Sequence, residues 1–471
     1  MSSSSINSCL LIVWIALLSG SMSWAVQTPE TIKVEVDPST IVSRISPDFI
    51  GFGYETSAVA QPNYFTAKNT QLVNLYRTLS TDGLIRIGGN VSDNTQYIPD
   101  GTPVAKDFRQ VSIINRQGIT NLGEFAKATG WKVMWGLNLG HGTRDQAVQE
   151  AVAVSSALGP QLHSFQVGNE VEVLRNVKGK YETYHGFYLD YKGGIRAVLP
   201  NAPFSGPDSI GHWNFVKQFA ADESKDMKLL THHYYCSDAH DPKATMEKML
   251  SHDAKFETRL IDLHKLCEAD GISYRINEVN SFSGGGKPGV SDTFGSALWA
   301  LDYMFMLASN GCDGINLETD INHLAFISYY SPIVHSTDGT CSARPEYYGM
   351  LAFSMAGKGD ILKLDLSKTD INLSAYATRD AQGSIWVTVV NKDLSRDAAV
   401  NIQLPDGFLT ADAYRLSAPS IDSKDQVTFA HTAVRADGTW SPGAGDHLAI
   451  TAGVAGLAIP HESAAVVCLR K

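Results

Sequence analysis

Short apolar runs alternate with longer amphipathic stretches over residues 46–358, and the pattern then changes. Eight runs read as strands: IGFGYE at 50–55, LIRIGGN at 84–90, KVMWGLNL at 132–139, SFQVGNE at 164–170, PFSGPD at 203–208, KLLTHHYY at 228–235, SYRINEVN at 273–280 and GINLE at 314–318. The fifth is the weakest. Stretches of helical composition occupy 69–79, 119–128, 144–158, 184–198, 244–269, 293–309 and 344–357. Strands alternating with helices predict βα units and a parallel sheet, and eight such units suggest a closed barrel of roughly 250 residues. From about residue 361 the runs become short and strictly alternating, as in SIWVTVVNKD and SAAVVCLRK, with Gly, Asp, Pro and Ser between them. That pattern predicts an all-β sandwich. TIKVEV at 31–36 also alternates, has no place in the barrel, and is free to pair with the sandwich. The predicted architecture is α/β: an N-terminal strand within 26–45, a (β/α)₈ TIM barrel over 46–358 and a β-sandwich over 359–471.

Two of the barrel strands stop at a glutamate. The fourth ends on the Asn169–Glu170 pair and the seventh on Glu278, about 110 positions later, followed by a glycine-rich loop. Glu55, Asn90, Glu170, Tyr234 and Glu278 all fall near strand C-terminal ends, the face on which barrel enzymes carry their sites. Glycoside cleavage needs one carboxyl group to donate a proton and another to attack or to activate water. Carboxylates on strands four and seven would meet across the barrel mouth. In a retaining mechanism Glu278 attacks the anomeric carbon, and Glu170 acts first as acid and then as base. Asn169 is placed to hydrogen-bond the sugar 2-hydroxyl. A lone glutamate is more often a surface carboxylate or a helix cap, so the ordered pair carries the argument.

Composition narrows the picture. The 471 residues are 44% hydrophobic with a formal charge of −11 and no Lys/Arg cluster, which argues against nucleic acid or a highly sulfated polysaccharide as partner. Residues 1–25 carry no charged side chain, and CLLIVWIALLSG followed by Ser23, Trp24 and Ala25 reads as a signal peptide, with the mature protein secreted or periplasmic and not held in a membrane. Its removal leaves Cys236, Cys267, Cys312, Cys341 and Cys468, with no metal-ligand spacing and no disulfide-scaffold pattern. No metal or organic cofactor is implied, and no oligomeric state is legible.

These stretches resemble glycoside hydrolase family 79, the retaining (β/α)₈ enzymes that include β-glucuronidases and heparanase. The resemblance runs from about residue 50 through the sandwich. VGNE at 167–170 resembles the acid/base motif, and INEVNSFSGGGKPGVSDTF at 276–294 resembles the nucleophile strand and its glycine loop. THHYY, RIGGN and GFGYE resemble strands six, two and one. The resemblance implies Glu170 as acid/base and Glu278 as nucleophile. It implies Tyr234 beside the nucleophile, with His232 on the same strand face. It implies Glu55 and Asn90 at sugar hydroxyls, and Gly285 and Tyr330 at a uronate carboxylate. Where the family has a tyrosine five residues past the nucleophile, this chain has Ser283. The short side chain weakens one contact to a uronate and leaves room for a 4-O-methyl group.

The expected function is an exo-acting β-glucuronidase on plain or 4-O-methylated glucuronides. Three alternatives stand beside it: a related retaining glycosidase for a neutral sugar, a heparanase-like endo-glucuronidase, and a non-catalytic carbohydrate-binding protein.

Overall fold

Eight parallel strands form a barrel: Gly51–Glu55, Leu84–Gly88, Lys132–Leu137, Leu162–Val167, Gly206–Ser209, Leu230–Asp238, Tyr274–Ser283 and Ile315–Glu318, here barrel strands one to eight. The computed structural model describes residues 30–106, 110–321 and 328–471, so the signal-peptide reading at 1–25 lies outside the described residues. The strands hydrogen-bond in the order 4-3-2-1-8-7-6-5. Between strands five and four the ring is completed by one parallel bridge, Phe165 to Phe204, with Phe165 N–H donating to the Pro203 carbonyl at 2.9 Å. Every residue of strand two is buried, as a wall covered by helices outside and packed within requires.

The barrel interior is polar at both ends. At the N-terminal end Arg275 donates to Asn316 Oδ1 at 2.7 Å and to the carbonyls of Asp48, Phe49 and Ile315. At the C-terminal end Arg86, also fully buried, lies beneath the candidate site. Helices follow most strands. Arg144–Leu158 starts from a capping box between Thr143 and Gln146, which satisfies two of its free N–H groups. The predicted helix over 244–269 is divided into Met246–Leu250 and Ala254–Asp270, because Asp253 caps the second piece by accepting from Phe256 N–H. A further helix, Trp213–Glu223, falls in a stretch with no strong sequence signal.

The C-terminal strands form a large mixed sheet folded over its own core. The N-terminal strand Glu30–Arg44 lies inside it: antiparallel to Asp360–Leu366, with Val34 opposite Leu366, and parallel to Ala398–Gln403, with Val34 opposite Ile402. Alternation puts Ile32 and Val34 in the sheet core with Val387, Val389, Val400 and Val467. Val390, Leu416 and Val466 belong to the barrel's core instead. The junction is reinforced by the Lys392–Asp302 ion pair at 2.5 Å and by Tyr376 donating to Asp302 at 2.8 Å. The five described cysteines are all free thiols, four of them buried.

Candidate active site

The C-terminal ends of the barrel strands enclose a cavity of about 440 Å³. Glu55, Asn90, Glu170, Glu278, Gly285 and Tyr330, six of the residues singled out in the sequence, line it together with Tyr235, Ser283, Glu318 and Asp320. A ring nitrogen of His233 and one oxygen each of Glu170 and Glu278 lie within 4.8 Å of one another. Glu170 follows strand four in the left-handed region, φ 43°, one residue after Asn169 and two after Gly168, φ 83°. A non-glycine residue rarely adopts this conformation, and it turns the carboxyl group back over the barrel. Glu278 gains its aim from a β-bulge. Strand seven pairs Ile276 with His232 but Glu278 with His233, so Asn277 is the extra residue. Both Asn277 and Glu278 then reach inward, Asn277 to Asp208 and Glu278 to the cavity.

Arg86 organises the floor. Its Nη1 donates to Glu278 Oε2 at 2.7 Å, and its Nη2 donates to Asp208 Oδ2 at 2.6 Å and to Asn169 Oδ1 at 2.5 Å. His233 faces Glu170 Oε1 at 3.3 Å and Glu278 Oε2 at 3.6 Å through Nδ1. Its Nε2 lies 3.2 Å from Asp208 Oδ1. Tyr235 donates to Glu278 Oε1 at 3.0 Å. Asn169 does not line the cavity; it is 2% exposed and donates to Asn90 Oδ1 at 3.2 Å.

Two further expected contacts are corrected by this geometry. Tyr234 donates to Asp253 at 2.8 Å and stacks on Phe256 at 3.7 Å, outside the barrel wall. His232 is buried against Trp213. Successive residues of a strand face opposite sides, and on strand six the inward pair is His233 and Tyr235. In the glycine loop Gly284, Gly285 and Gly286 have φ of 72°, 88° and 83°, values that side chains disfavour. Tyr329 N–H donates to the Gly285 carbonyl at 2.6 Å, which ties this loop to the segment carrying Tyr330.

No family model matches the chain. It is 24% identical to a β-glucuronidase of Aspergillus niger over 384 residues, 73% of this chain and 69% of that one. It is 22% identical to mouse heparanase over 462 residues, 81% and 83% of the two chains. Among solved structures, a 4-O-α-L-rhamnosyl-β-D-glucuronidase of Fusarium oxysporum superposes with a TM-score of 0.77 at 19% identity, covering 93% of this chain and 99% of that one. The chain is a glycoside hydrolase, similar in sequence to β-glucuronidases and to heparanase.

The charges of the hydrolase's site are set by burial and by two cations. Burial pushes the Glu170 carboxyl upward; the His233 hydrogen bond opposes this and the Glu278 charge adds to it. Burial disfavours the His233 imidazolium, but Glu278 and Asp208 outweigh it and push the ring up to about 10. Asp208 is held well below the usual carboxylate range because Arg86 and His233 overcome its burial. Across the cavity Asp320 is pushed up to about 7 by burial and by Glu278. Glu55 and Glu318 lie well above their ordinary value, chiefly through burial, with Asp320 adding for Glu55 and Glu278 for Glu318.

Arg86, Asp208, His233, Tyr235, Glu318 and Asp320 were not singled out in the sequence, although all but Asp320 lie in strands that were. One signal was available. An arginine inside an apolar barrel strand needs a buried counter-charge, and Asp208, at the end of PFSGPD, provides it.

Proposed function

We propose that this hydrolase releases β-linked glucuronic acid from chain ends or small glucuronides by retaining double displacement, with Glu278 as nucleophile and Glu170 as acid/base. The spacing of the two carboxyl groups carries the mechanism. Oxygens within 4.8 Å of each other fit the ~5–5.5 Å separation of retaining pairs and leave no room for the water of an inverting pair at ~6.5–9.5 Å. Their surroundings differ as the two roles require. Arg86 and Tyr235 donate to Glu278, the donor set of an attacking carboxylate. Glu170 is desolvated and shifted upward, as a proton donor needs. His233 bridges the two and follows the charge that moves between them.

A glucuronide is supported by the β-glucuronidase relatives and by the glycine loop. Gly284 and Gly285 line the cavity beside Tyr330, and consecutive backbone N–H groups can hold an anion without a cation. Ser283 lines the same cavity, and its short side chain leaves space for a 4-O-substituent, as on the substrate named for the Fusarium enzyme. A neutral-sugar substrate is the second reading, favoured by the carboxyl groups of Glu55, Glu318 and Asp320 in the cavity.

Hydrolysis of p-nitrophenyl β-D-glucuronide, with the β-glucoside and β-xyloside alongside, separates the two. The expected result is release from the glucuronide, with β-glucuronic acid as the first product by NMR. Glu278→Gln should lower the rate about a thousandfold or more. A 4-O-methyl glucuronide should be cleaved at least as fast as the plain one. Release from a neutral sugar alone would overturn the glucuronide assignment and leave the two-carboxylate mechanism in place. The same reading puts the mature chain, from Val26, in a secreted or periplasmic setting, and N-terminal sequencing of exported protein tests it.

A further inference from the structure

Barrel strand eight ends in a carboxyl group that the double displacement does not use. Glu318 is 3% exposed and lines the cavity, and its Oε2 has no hydrogen-bond partner among the described residues. Strand one makes space for it, since a Cβ on Gly53 would collide with Oε2. Glu55 sits in the same way over Gly89 and accepts from Val91 N–H at 2.7 Å. Asp320 lines the cavity two residues beyond Glu318, its backbone N–H bound to Ser331 Oγ at 2.8 Å.

The groups facing Glu318 come from every side: Glu278 on strand seven, Glu55 on strand one, Arg86 on strand two and Asp320 on its own loop, with Tyr235 and Tyr330 beside them. Arg86 is already engaged by Asp208, Glu278 and Asn169. Lys106 also lines the cavity but is exposed. Three carboxyl groups in one desolvated cavity next to the Glu278 carboxylate cannot all carry charge. With Oε2 packed against Gly53 and left without a partner among the described residues, Glu318 lacks the hydrogen bonds that would hold it ionised and is the natural seat of a proton, and a protonated carboxyl group gains an O–H that can donate to a sugar oxygen.

We propose that Glu318 is a specificity-determining residue that contacts the sugar in its protonated form, and that Glu55, Glu318 and Asp320 together make the cavity receptive to an anionic sugar in acid and repel it as they ionise. The proposal rests on the glucuronide reading above and deepens it. It removes the conflict between an acid-rich cavity and an acidic substrate. The direction follows from the shifts: Asp320, raised to about 7 by burial and by Glu278, and Glu318 and Glu55, raised well above the ordinary carboxylate value chiefly by burial, are neutral in acid and become charged as pH rises. A uronate, ionising near ~3.5, stays negative throughout, so repulsion grows as pH rises through neutrality. The three groups titrate as a set, and the profile belongs to the set.

The experiment compares KM for p-nitrophenyl β-D-glucuronide with KM for its neutral C6 amide, from pH 5 to pH 8, in wild type, Glu318→Gln and Asp320→Asn. The expected result is an about tenfold rise in KM for the glucuronide in wild type, because only about a tenth of a group titrating near 7 stays protonated at pH 8. KM for the amide should stay flat. Glutamine keeps the size and a donor but cannot ionise, so the rise for the glucuronide should shrink to about threefold or less in Glu318→Gln. Asp320→Asn should shrink it too, without altering a barrel strand, and gives the answer if Glu318→Gln does not fold. A KM that rises equally for both substrates, or variants with the wild-type profile, would overturn the proposal. A wild-type enzyme inert on the glucuronide at pH 5 would instead overturn the functional reading, and this inference with it.

Discussion

At the scale of single residues, the decisive fact is which member of each neighbouring pair points inward. THHYY places two histidines and two tyrosines in succession, and their alternation is certain while its phase is not. A one-residue change of phase exchanges every side chain between cavity and wall. The phase is fixed by Tyr234 stacking on Phe256 and on Tyr303 on the outer side, at 3.7 and 5.6 Å, contacts between residues far apart in the chain. The consequence is measurable. Tyr235→Phe removes a hydroxyl that donates to Glu278, and a hydrogen bond to a charged group is worth about 1.5–3 kcal/mol. Turnover of the glucuronide should fall about 10- to 100-fold if that bond strengthens the nucleophile's placement at the transition state. Tyr234→Phe should leave kcat within about twofold and act on thermal stability alone, since the lost contact is to Asp253 in the wall. Steady-state kinetics of the two variants distinguishes the assignments, because the opposite order of effects would return Tyr234 to the site. Glu170 and Glu278 were legible because each closes an apolar run. The bulge at Asn277 and the left-handed Glu170 were not, since neither leaves a mark on composition.

At the scale of elements, periodicity located the barrel strands and left their contributions uneven. The fifth was the faintest in the sequence and is, with the eighth, the shortest of the barrel strands, Gly206–Ser209 and Ile315–Glu318. Yet these two strands bear Asp208 and Glu318. A short strand offers little alternation to detect, and its polar end reads as loop. Helix Trp213–Glu223 carries no side-chain cap, and the hairpin Ile333–His335 with Cys341–Ala343 is too brief for any period. The N-terminal strand is the opposite case. Its alternation was plain, but its position between two distant strands depends on partners more than 300 residues away. Because Glu30–Arg44 is paired on both edges, its deletion would divide the sheet and expose Ile32 and Val34's partners in the sheet core. A chain beginning at residue 46 should therefore fail to accumulate as soluble, cooperatively unfolding protein. Supplying residues 26–45 as a separate peptide should recover part of it. Recovery of a fully active truncated enzyme would show that the strand is dispensable.

At the scale of the whole molecule, the buried ionisable groups predict how stability depends on pH. Asp320 and Glu150 are pushed up to about 7, chiefly by burial, and Asp93 to about 6 by burial against its backbone hydrogen bonds. In the unfolded chain such groups titrate near 4. Between these values the native state holds more protons than the unfolded one, so stability falls as pH rises. His233, pushed up to about 10 by Glu278 and Asp208 against its burial, acts in the same direction. Its contribution is complete below about 6.5 and is lost as pH approaches 10. Two groups act the other way. Burial lowers His163 to about 4 and His232 to about 3, so these rings favour the native state increasingly as pH rises toward 6.5, and not beyond. The depressed aspartates, Asp208 among them, have delivered their contribution well before that point. Above pH 6.5 the opposing groups have finished titrating, whereas Asp320, Glu150 and His233 have not. Scanning calorimetry at pH 6.5 and 8.5 should show a lower Tm at the higher pH, by on the order of 5 °C, since each unit of unmatched titration is worth about 1.4 kcal/mol. Glu150→Gln should remove part of the difference without touching the cavity, because Glu150 lies under Trp135, whose Nε1 donates to it at 2.8 Å. A Tm that is level or rises over this interval would mean that neither the buried carboxyl groups nor His233 hold extra protons in the native state, which would also remove the electrostatic basis for an acid-gated cavity.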